Sequence, residues 1–600
     1  MAEASLLAQL ESASFTQIVA TAEGMGANRG QPAVIDLYRN WIAVQSGGER
    51  NLYAAWFNLG VEYARARQTQ DAILAYRSAL ALKPDFASAA INLGLLLEQC
   101  GQPDAALQAW DKALQSDESR TALLNQRARL MEQRGALDDA EQTLRRSLVT
   151  NPRQPDAVQH WVHVRQKMCL WPTLDETIPG LEREELLTQC GPLAALALTD
   201  DIAAQSAVAA NWIARKTTPV PQRLSPPQGY RHERIRLGYI SSDFCRHAMS
   251  YLIAELFERH DRSRFELYGY CMSREDGSDI RRRVIAAFDY FIRIGERSDE
   301  EAARLIRDDE IDILIDLNGL TSGSRLQILR WKPAPVQATY LGFIGAVPLP
   351  ELDFLLCDSF VVPPPLAASY RPRPLYVARN YQANDSKRVI GAAETRTAAG
   401  LPEDAFLFCC FSNFYKITEE LFGAWMAILR RVPQGKLWIA SDNPWAPQNL
   451  RDRATALGVD AARLVFTGRV DPAQYMARLA LGDLFLDTFP FNAGTVASDA
   501  IRMGLPLITL SGKAYASRMA GRFLSAIGAE RGIAHTFAGY IETAVTLATD
   551  TDAYDAYRLL FTPERWAATM GDIAGFAKEF EATLERVQAE LIRSTEALVA

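Results

Sequence analysis

Apolar and small residues recur with a 34-residue period near the start of the chain. Leu59, Gly60, Ala72, Tyr76 and Ala79 return 34 positions on as Leu93, Gly94, Ala106, Trp110 and Ala113, and again as Arg127, Ala128, Ala140, Leu144 and Ser147. Small residues fall where two helices must touch and bulky ones where they interlock, so the spacing predicts one helix hairpin per period. Residues 53–152 hold three such units, and residues 1–52 carry helical patterns outside the register, expected to form an irregular cap. Residues 153–229 read as a helical connector that ends in the Pro-rich linker KTTPVPQRLSPPQG. Beyond it the period changes. Short apolar runs at 235–242, 265–272, 311–317, 337–343 and 353–362 alternate with amphipathic stretches. A second set follows at 406–412, 436–441, 463–468, 483–488 and 505–510. Buried parallel strands in βαβ units have this pattern. Two sets in tandem predict an α array followed by two α/β doubly wound halves, 230–390 and 391–600, the second with a closing C-terminal helix.

The repeat is the tetratricopeptide pattern, and an array of such hairpins is a surface for holding another chain. Composition narrows what the rest does. A net charge of -8 and a pI near 5.6 argue against nucleic-acid and membrane partners, which would want a basic patch. No apolar run reaches the roughly 18 residues of a membrane span. The opening MAEASLLAQLES has neither the basic region nor the apolar core of a secretory signal, so a cytoplasmic protein is expected. Eight cysteines without a C-x-x-C pair read as reduced thiols, with Cys409–Cys410 in the core. The six histidines share no metal-ligand spacing, so neither a metal nor a cofactor is expected. The absence of G-x-G-x-x-G and Walker A sequences argues against a dinucleotide enzyme or an NTPase.

Polar, small-residue turns follow several of the apolar runs. They place Ser241, Ser242, Asp243 and His247 after one, Asn318, Gly319, Thr321 and Gly323 after another, and Asn413, Tyr415 and Lys416 after a third. The stretch DLFLDTFPFNAGTVASDA ends a run with Asn492, Ala493, Gly494, Thr495 and Ser498 and then opens a helix. Small residues at a helix N-terminus expose backbone N–H groups to an anion such as a diphosphate. Asp499, in the first turn, is either a capping carboxylate or a partner for a ribose hydroxyl.

The motifs SSDFCRH, LNGLTSGSR, KPAPVQATYLGF, FSNFYKI, DLFLDTFPFN, GTVASDA and GLPLITLSGKAYASRMAG occur in that order. With the repeats, they resemble glycosyltransferase family 41, the tetratricopeptide-linked nucleotide-sugar transferases that include O-linked N-acetylglucosamine transferase and SPINDLY. The resemblance implies a GT-B fold of two Rossmann-like halves and an inverting, metal-independent transfer. It implies movement of N-acetylglucosamine or another hexose from a UDP-linked donor to Ser/Thr of a protein held by the repeats. Asn-directed glucosyl transfer and fucosyl transfer belong to the same resemblance.

By the same resemblance, Lys416 meets the diphosphate and steadies the leaving nucleotide, with Asn413, Gly494 and Thr495 beside it. Tyr475 stacks on the base, Arg478 contacts its edge, Val470 reads it through the backbone, and Asp499 holds the ribose. Gly342 lies beside the donor sugar. His247 lies near the acceptor, where it is either the base or a structural histidine. Asn58, Asn92 and Gln126, again 34 apart, form the polar row that would hold an acceptor polypeptide. The chain departs from the family at Gly342-Phe343-Ile344-Gly345-Ala346-Val347, near the sugar, and at Pro472, Gly494 and Val496. Two other classes compete: a non-catalytic repeat scaffold, against which Lys416, Thr495, Tyr475 and Asp499 argue, and an enzyme acting on a free sugar, which would not need repeats.

Overall fold

The computed structural model describes residues 10–28, 31–45, 50–115, 120–220, 222–377 and 380–599. The chain forms two compact units, Met1–Val164 with Glu176–Leu181, and Arg165–Asp175 with Glu182–Ala600.

In the first unit the helices are α1 (Phe15–Asn28), α2 (Gln31–Val44), α3 (Leu52–Arg65), α4 (Thr69–Leu82), α5 (Ala87–Gln99), α6 (Pro103–Leu114), α7 (Thr121–Gln133) and α8 (Leu137–Thr150), with α9 (Pro155–Lys167) next. The repeat period is visible in the packing. A Cβ on Gly60 would stand 2.6 Å from the Tyr76 ring, and one on Gly94 would stand 2.2 Å from the Trp110 indole, so each hairpin closes over a missing side chain. The period also sets the helix ends. Arg67, Gly101 and Gly135, again 34 apart, have φ of +57°, +73° and +76°. The next residue donates to a carbonyl five back: Gln68 to Tyr63, Gln102 to Leu97 and Ala136 to Met131. This is the Schellman ending, which favours glycine at its left-handed position. After α9 the motif recurs, with Cys169 at φ +49° and Leu170 N donating to Arg165 O, so α9 keeps the register of the repeats.

Gly94→Ala is therefore expected to destabilise the array by about 1–3 kcal/mol through overpacking. At Gly423, inside another helix, a Cβ would meet nothing within 4 Å. Gly423→Ala should stabilise by about 0.5–1 kcal/mol. Chemical denaturation of both variants checks the pair.

The second unit begins with α10 (Arg183–Gln189), α11 (Pro192–Leu198) and α12 (Ile202–Lys216). Asp200, between α11 and α12, ties these helices to a distant loop by accepting from Lys513 N at 2.8 Å and Ala514 N at 3.0 Å. The first half then runs β1 (Ile235–Ser241), α13 (Ala248–Arg259), β2 (Phe265–Cys271), α14 (Asp279–Ala286), β3 (Tyr290–Arg293), α15 (Asp299–Asp308), β4 (Ile313–Asp316), α16 (Leu326–Arg330), β5 (Val336–Thr339), β6 (Phe354–Cys357) and β7 (Arg373–Tyr376). Its seven-stranded sheet has the order β3-β2-β1-β4-β5-β6-β7. All pairs are parallel, with Leu237 of β1 opposite both Leu267 and Ile313.

The second half runs β8 (Phe406–Cys410), α17 (Glu419–Arg431), β9 (Gly435–Ser441), α18 (Trp445–Ala456), β10 (Leu464–Gly468), α19 (Pro472–Leu479), β11 (Leu484–Leu486), α20 (Thr495–Arg502), β12 (Leu507–Leu510), α21 (Met519–Ala526), β13 (Ile533–Ala534), α22 (Phe537–Thr549), α23 (Thr551–Arg558) and α24 (Pro563–Ala568). Its parallel sheet has the order β10-β9-β8-β11-β12-β13. The strands absent from the sequence reading, β3, β7 and β13, are all sheet edges. Their side chains are half-buried or exposed, so no apolar run marked them.

The closing helix α25 (Ile573–Val599) differs from expectation in its partner. The sequence pattern groups it with the second half, yet Phe576, Phe580, Leu584 and Val587 pack into the core around Tyr239, Phe257 and Tyr340 of the first. Glu581, buried on this helix, accepts from His260 Nδ1 at 3.0 Å and Asp261 N at 2.9 Å. An amphipathic pattern shows that a helix needs a partner, not which one.

Candidate active site

Loops leaving β1, β2, β4 and β5 of the first sheet and β8, β9, β10 and β11 of the second line one cavity of about 1030 Å³. They flank the points where strand order reverses, between β1 and β4 and between β8 and β11. Strand ends and helix N-termini converge there in open α/β sheets. His247, Gly342, Asn413, Lys416, Val470, Tyr475, Arg478, Gly494, Thr495 and Asp499 all line this cavity. Asn58, Asn92 and Gln126 belong to the other unit, half-buried on α3, α5 and α7.

The first-sheet wall is built on buried turns. Asp316, at the end of β4, accepts from Asn318 N at 3.1 Å and Gly319 N at 2.8 Å, and burial pushes its carboxyl up to about 6. Asn318 then crosses to the β1 loop, accepting from Ser242 N at 2.8 Å and donating to Asp243 Oδ2 at 3.0 Å. Gly342 sits where a Cβ would stand 2.0 Å from Leu317 O, so only glycine lets the β4 and β5 loops meet. The preceding Leu341, also on the cavity, takes φ of +68°, a strained conformation for a branched side chain. His247 caps α13: its Nδ1 accepts from Met249 N at 3.3 Å and lies 3.6 Å from Asp243 Oδ2. Its side chain is half-exposed.

Lys416 ends the turn after β8. Its Nζ donates to Asn492 O at 3.0 Å and stands 3.6 Å above the Phe491 ring. Burial lowers its pKa to about 8 against the opposing pull of Asp487. Sequence reasoning missed Asp487, a fully buried carboxylate at the end of β11. It accepts from Thr488 N and Ala493 N at 2.8 Å and from Thr509 Oγ1 at 2.7 Å, and so shapes the turn that leads into α20. Burial raises its pKa. At the α20 N-terminus Gly494 offers no side-chain cap, leaving the first N–H groups to the cavity.

Asp487→Asn keeps an oxygen for both backbone donors and removes the charge that helps Lys416 hold its proton. Lys416 is charged below its pKa and neutral above it, so the variant should lose activity from the alkaline side. The alkaline limb of turnover should move down by about one pH unit, costing about fivefold at pH 8 and little at pH 6. A pH–rate profile with an unmoved limb would refute the coupling.

Three of the expected residues have other partners within the site. Arg478 gives its guanidinium to Glu394, with Nε 2.9 Å from Oε2 and Nη2 3.2 Å from Oε1. Asn413 accepts from Arg469 Nη2 at 3.1 Å. Asp499 is paired with Arg388 at 2.5 Å. Glu394 and Arg388 lie in the loop joining the halves, which carried no sequence signal. Val470 is 36% exposed. Among the described residues no group of three His, Cys, Asp or Glu side chains is placed to hold a metal ion.

Residues 213–392 and 382–580, more than half of the chain, match the model of Glycosyl transferase family 41. The chain belongs to glycosyl transferase family 41. Residues 53–86 match the Tetratricopeptide repeat. A probable UDP-N-acetylglucosamine–peptide N-acetylglucosaminyltransferase, SEC, from Arabidopsis thaliana is 32% identical over 65% of this chain and 41% of its own length. The UDP-N-acetylglucosamine–peptide N-acetylglucosaminyltransferase of Caenorhabditis elegans is 24% identical over 58% of this chain and 40% of its own. This family 41 chain thus spans about two-fifths of the length of those relatives. The solved structure of a Thermobaculum terrenum O-GlcNAc transferase superposes with a TM-score of 0.67 at 24% identity, covering 92% of this chain and all of that one. The fold is therefore a helical repeat region followed by a GT-B pair of Rossmann-like halves.

Proposed function

We propose that this family 41 chain is a cytoplasmic protein glycosyltransferase that moves a sugar from a UDP-linked donor to Ser/Thr of a polypeptide held by its repeats. The observation that carries the reading is the convergence of the ten donor-site and catalytic residues on one cavity at the switch points of both sheets. The relatives' names supply the peptide acceptor and the UDP-N-acetylglucosamine donor. Among the described residues no helix is long and apolar enough to cross a membrane, and all eight cysteines are free.

In this reading the acceptor hydroxyl attacks the anomeric carbon in line while the diphosphate leaves, inverting the centre. Charge on the leaving group is met by Lys416 and the α20 N-terminus, without a metal. Tyr475 takes the base, Asp499 the ribose, and His247 the acceptor proton. Asn413, Val470, Arg478, Gly494 and Thr495 line the nucleotide, and Gly342 the sugar.

On the repeats, Asn58 and Asn92 donate to the hydroxyls of Tyr38 and Tyr76 at 3.1 and 3.4 Å. Each amide keeps its oxygen and a second N–H for a peptide backbone. Gln126 is a weaker rung, since its oxygen accepts from Arg129 at 3.1 Å.

Incubation with labelled UDP-sugars and a cell lysate tests the function: label should appear on protein. Label on a free altered sugar, or none, would reject it. The Asn58→Ala/Asn92→Ala variant is expected to glycosylate a protein acceptor about tenfold more slowly, the loss of two ordinary hydrogen bonds. Hydrolysis of the donor by water should not change. Equal transfer by variant and wild type would remove the row from the mechanism.

A further inference from the structure

The segment 385–394 joins the two halves as a strap along the second-sheet wall. Arg502 Nη2 donates to Ser386 O at 2.8 Å and Arg388 O at 3.2 Å, and Gly391 N donates to Ala473 O at 2.8 Å. Between these anchors the side chains are inverted. Val389 and Ile390 are 72% and 44% exposed, while the Arg388 side chain is 10% exposed. Apolar residues ordinarily take the interior and arginine the water, so something inside the cavity holds Arg388. That partner is Asp499, whose Oδ1 lies 2.5 Å from Arg388 Nη1. The other oxygen, Asp499 Oδ2, is buried, as is the Tyr475 hydroxyl on α19, which packs against α20. The Tyr475 hydroxyl and the Asp499 carboxylate face each other and interact directly. Both residues line the cavity. With one hydroxyl proton shared between them, the carboxylate and the phenol oxygen still have acceptor lone pairs on a binding wall, which suits a ligand that carries a pair of hydroxyls.

We propose that Arg388 is the positioning residue for the donor's ribose: by pairing with Asp499 Oδ1 it keeps the carboxylate turned so that Oδ2, beside the Tyr475 hydroxyl, accepts from the sugar diol. This rests on the nucleotide-sugar reading above. The strap thereby couples the nucleoside end of the site to the junction of the halves, and Arg388 acts through Asp499 without touching the nucleotide.

The full-length protein, titrated by calorimetry with UDP, dUDP, GDP and dGDP, tests this. Wild type should bind a ribonucleotide about tenfold or more tighter than its 2′-deoxy form, the size of one hydrogen bond to a charged group. Arg388→Met should reduce that preference to about twofold or less, and Arg388→Lys should restore part of it. In an Asp499→Asn background, Arg388→Met should change nothing further, because the two act as one unit. A ribose preference that survives Arg388→Met overturns the proposal. An added loss in the double variant does too, since the guanidinium would then meet the nucleotide itself. If Arg388→Met does not fold, the double variant, which removes both buried charges, is compared with Asp499→Asn alone. A wild type that binds none of the four nucleotides rejects the donor reading, and this proposal with it. One that binds while the variants stay unchanged rejects only this proposal.

Discussion

Lys416→Ala is expected to lower turnover by about a hundredfold or more while the protein stays folded. The large effect follows from where the charge sits. Lys416 is half-buried on the cavity wall, fixed by Asn492 O at 3.0 Å and by the Phe491 ring. An ammonium so held needs no reorganisation when negative charge develops on the departing diphosphate, and the low local dielectric strengthens the attraction. The fold should survive because Lys416 lies on a loop, and its removal takes away a charge whose burial was itself unfavourable. Asp487, which loses its cationic neighbour, already has a raised pKa and relieves the change by taking up a proton. Lys416→Arg should rescue little, since a planar fork does not occupy the position of a point charge over the ring. Steady-state kinetics and a melting curve check the prediction. Turnover near wild type in a folded Lys416→Ala protein would remove the lysine from the chemistry.

The parts of this architecture that could be read from sequence are those where a local pattern forces a local structure. Central strands β1, β4, β8 and β9 bury most consecutive side chains, and so both faces, which makes the apolar run nearly continuous. The repeat helices could be read because Gly60 and Gly94 recur opposite Tyr76 and Trp110. Arg67, at the left-handed position that Gly101 and Gly135 occupy, hid the same ending in the first repeat. Within the site, the turns at Lys416 and Thr495 were visible because small polar residues follow apolar runs. Asp487 was not, because one carboxylate at a strand end looks like ordinary turn chemistry. Arg388 and Glu394 were invisible for a stronger reason: their partners Asp499 and Arg478 lie 111 and 84 positions away in sequence. No local pattern encodes a contact that the assembled sheets create, and the seat of α25 on the first half escaped for the same cause.

His247→Asn separates two roles that an alanine would confuse. His247 Nδ1 accepts from Met249 N at 3.3 Å, so the residue caps α13. With that lone pair engaged, the ring proton sits on Nε2, and the cap alone would explain the histidine. Asp243 Oδ2, 3.6 Å from the same nitrogen, offers the alternative: with the proton on Nδ1 and directed at the carboxylate, Nε2 presents a lone pair to the cavity. Asp243 is itself fixed, because Asn318 donates to its Oδ2 at 3.0 Å. Asparagine is among the best helix caps, so the variant keeps the cap and loses only the base. His247→Asn is therefore expected to lower transfer by about a hundredfold to ten-thousandfold, the usual worth of a general base, with melting temperature and UDP affinity near wild type. Asp243→Asn should lower transfer less, because it orients the ring and does not take the proton. If His247→Asn transfers sugar as fast as wild type, the histidine is a cap and nothing more, and the acceptor proton leaves by another group.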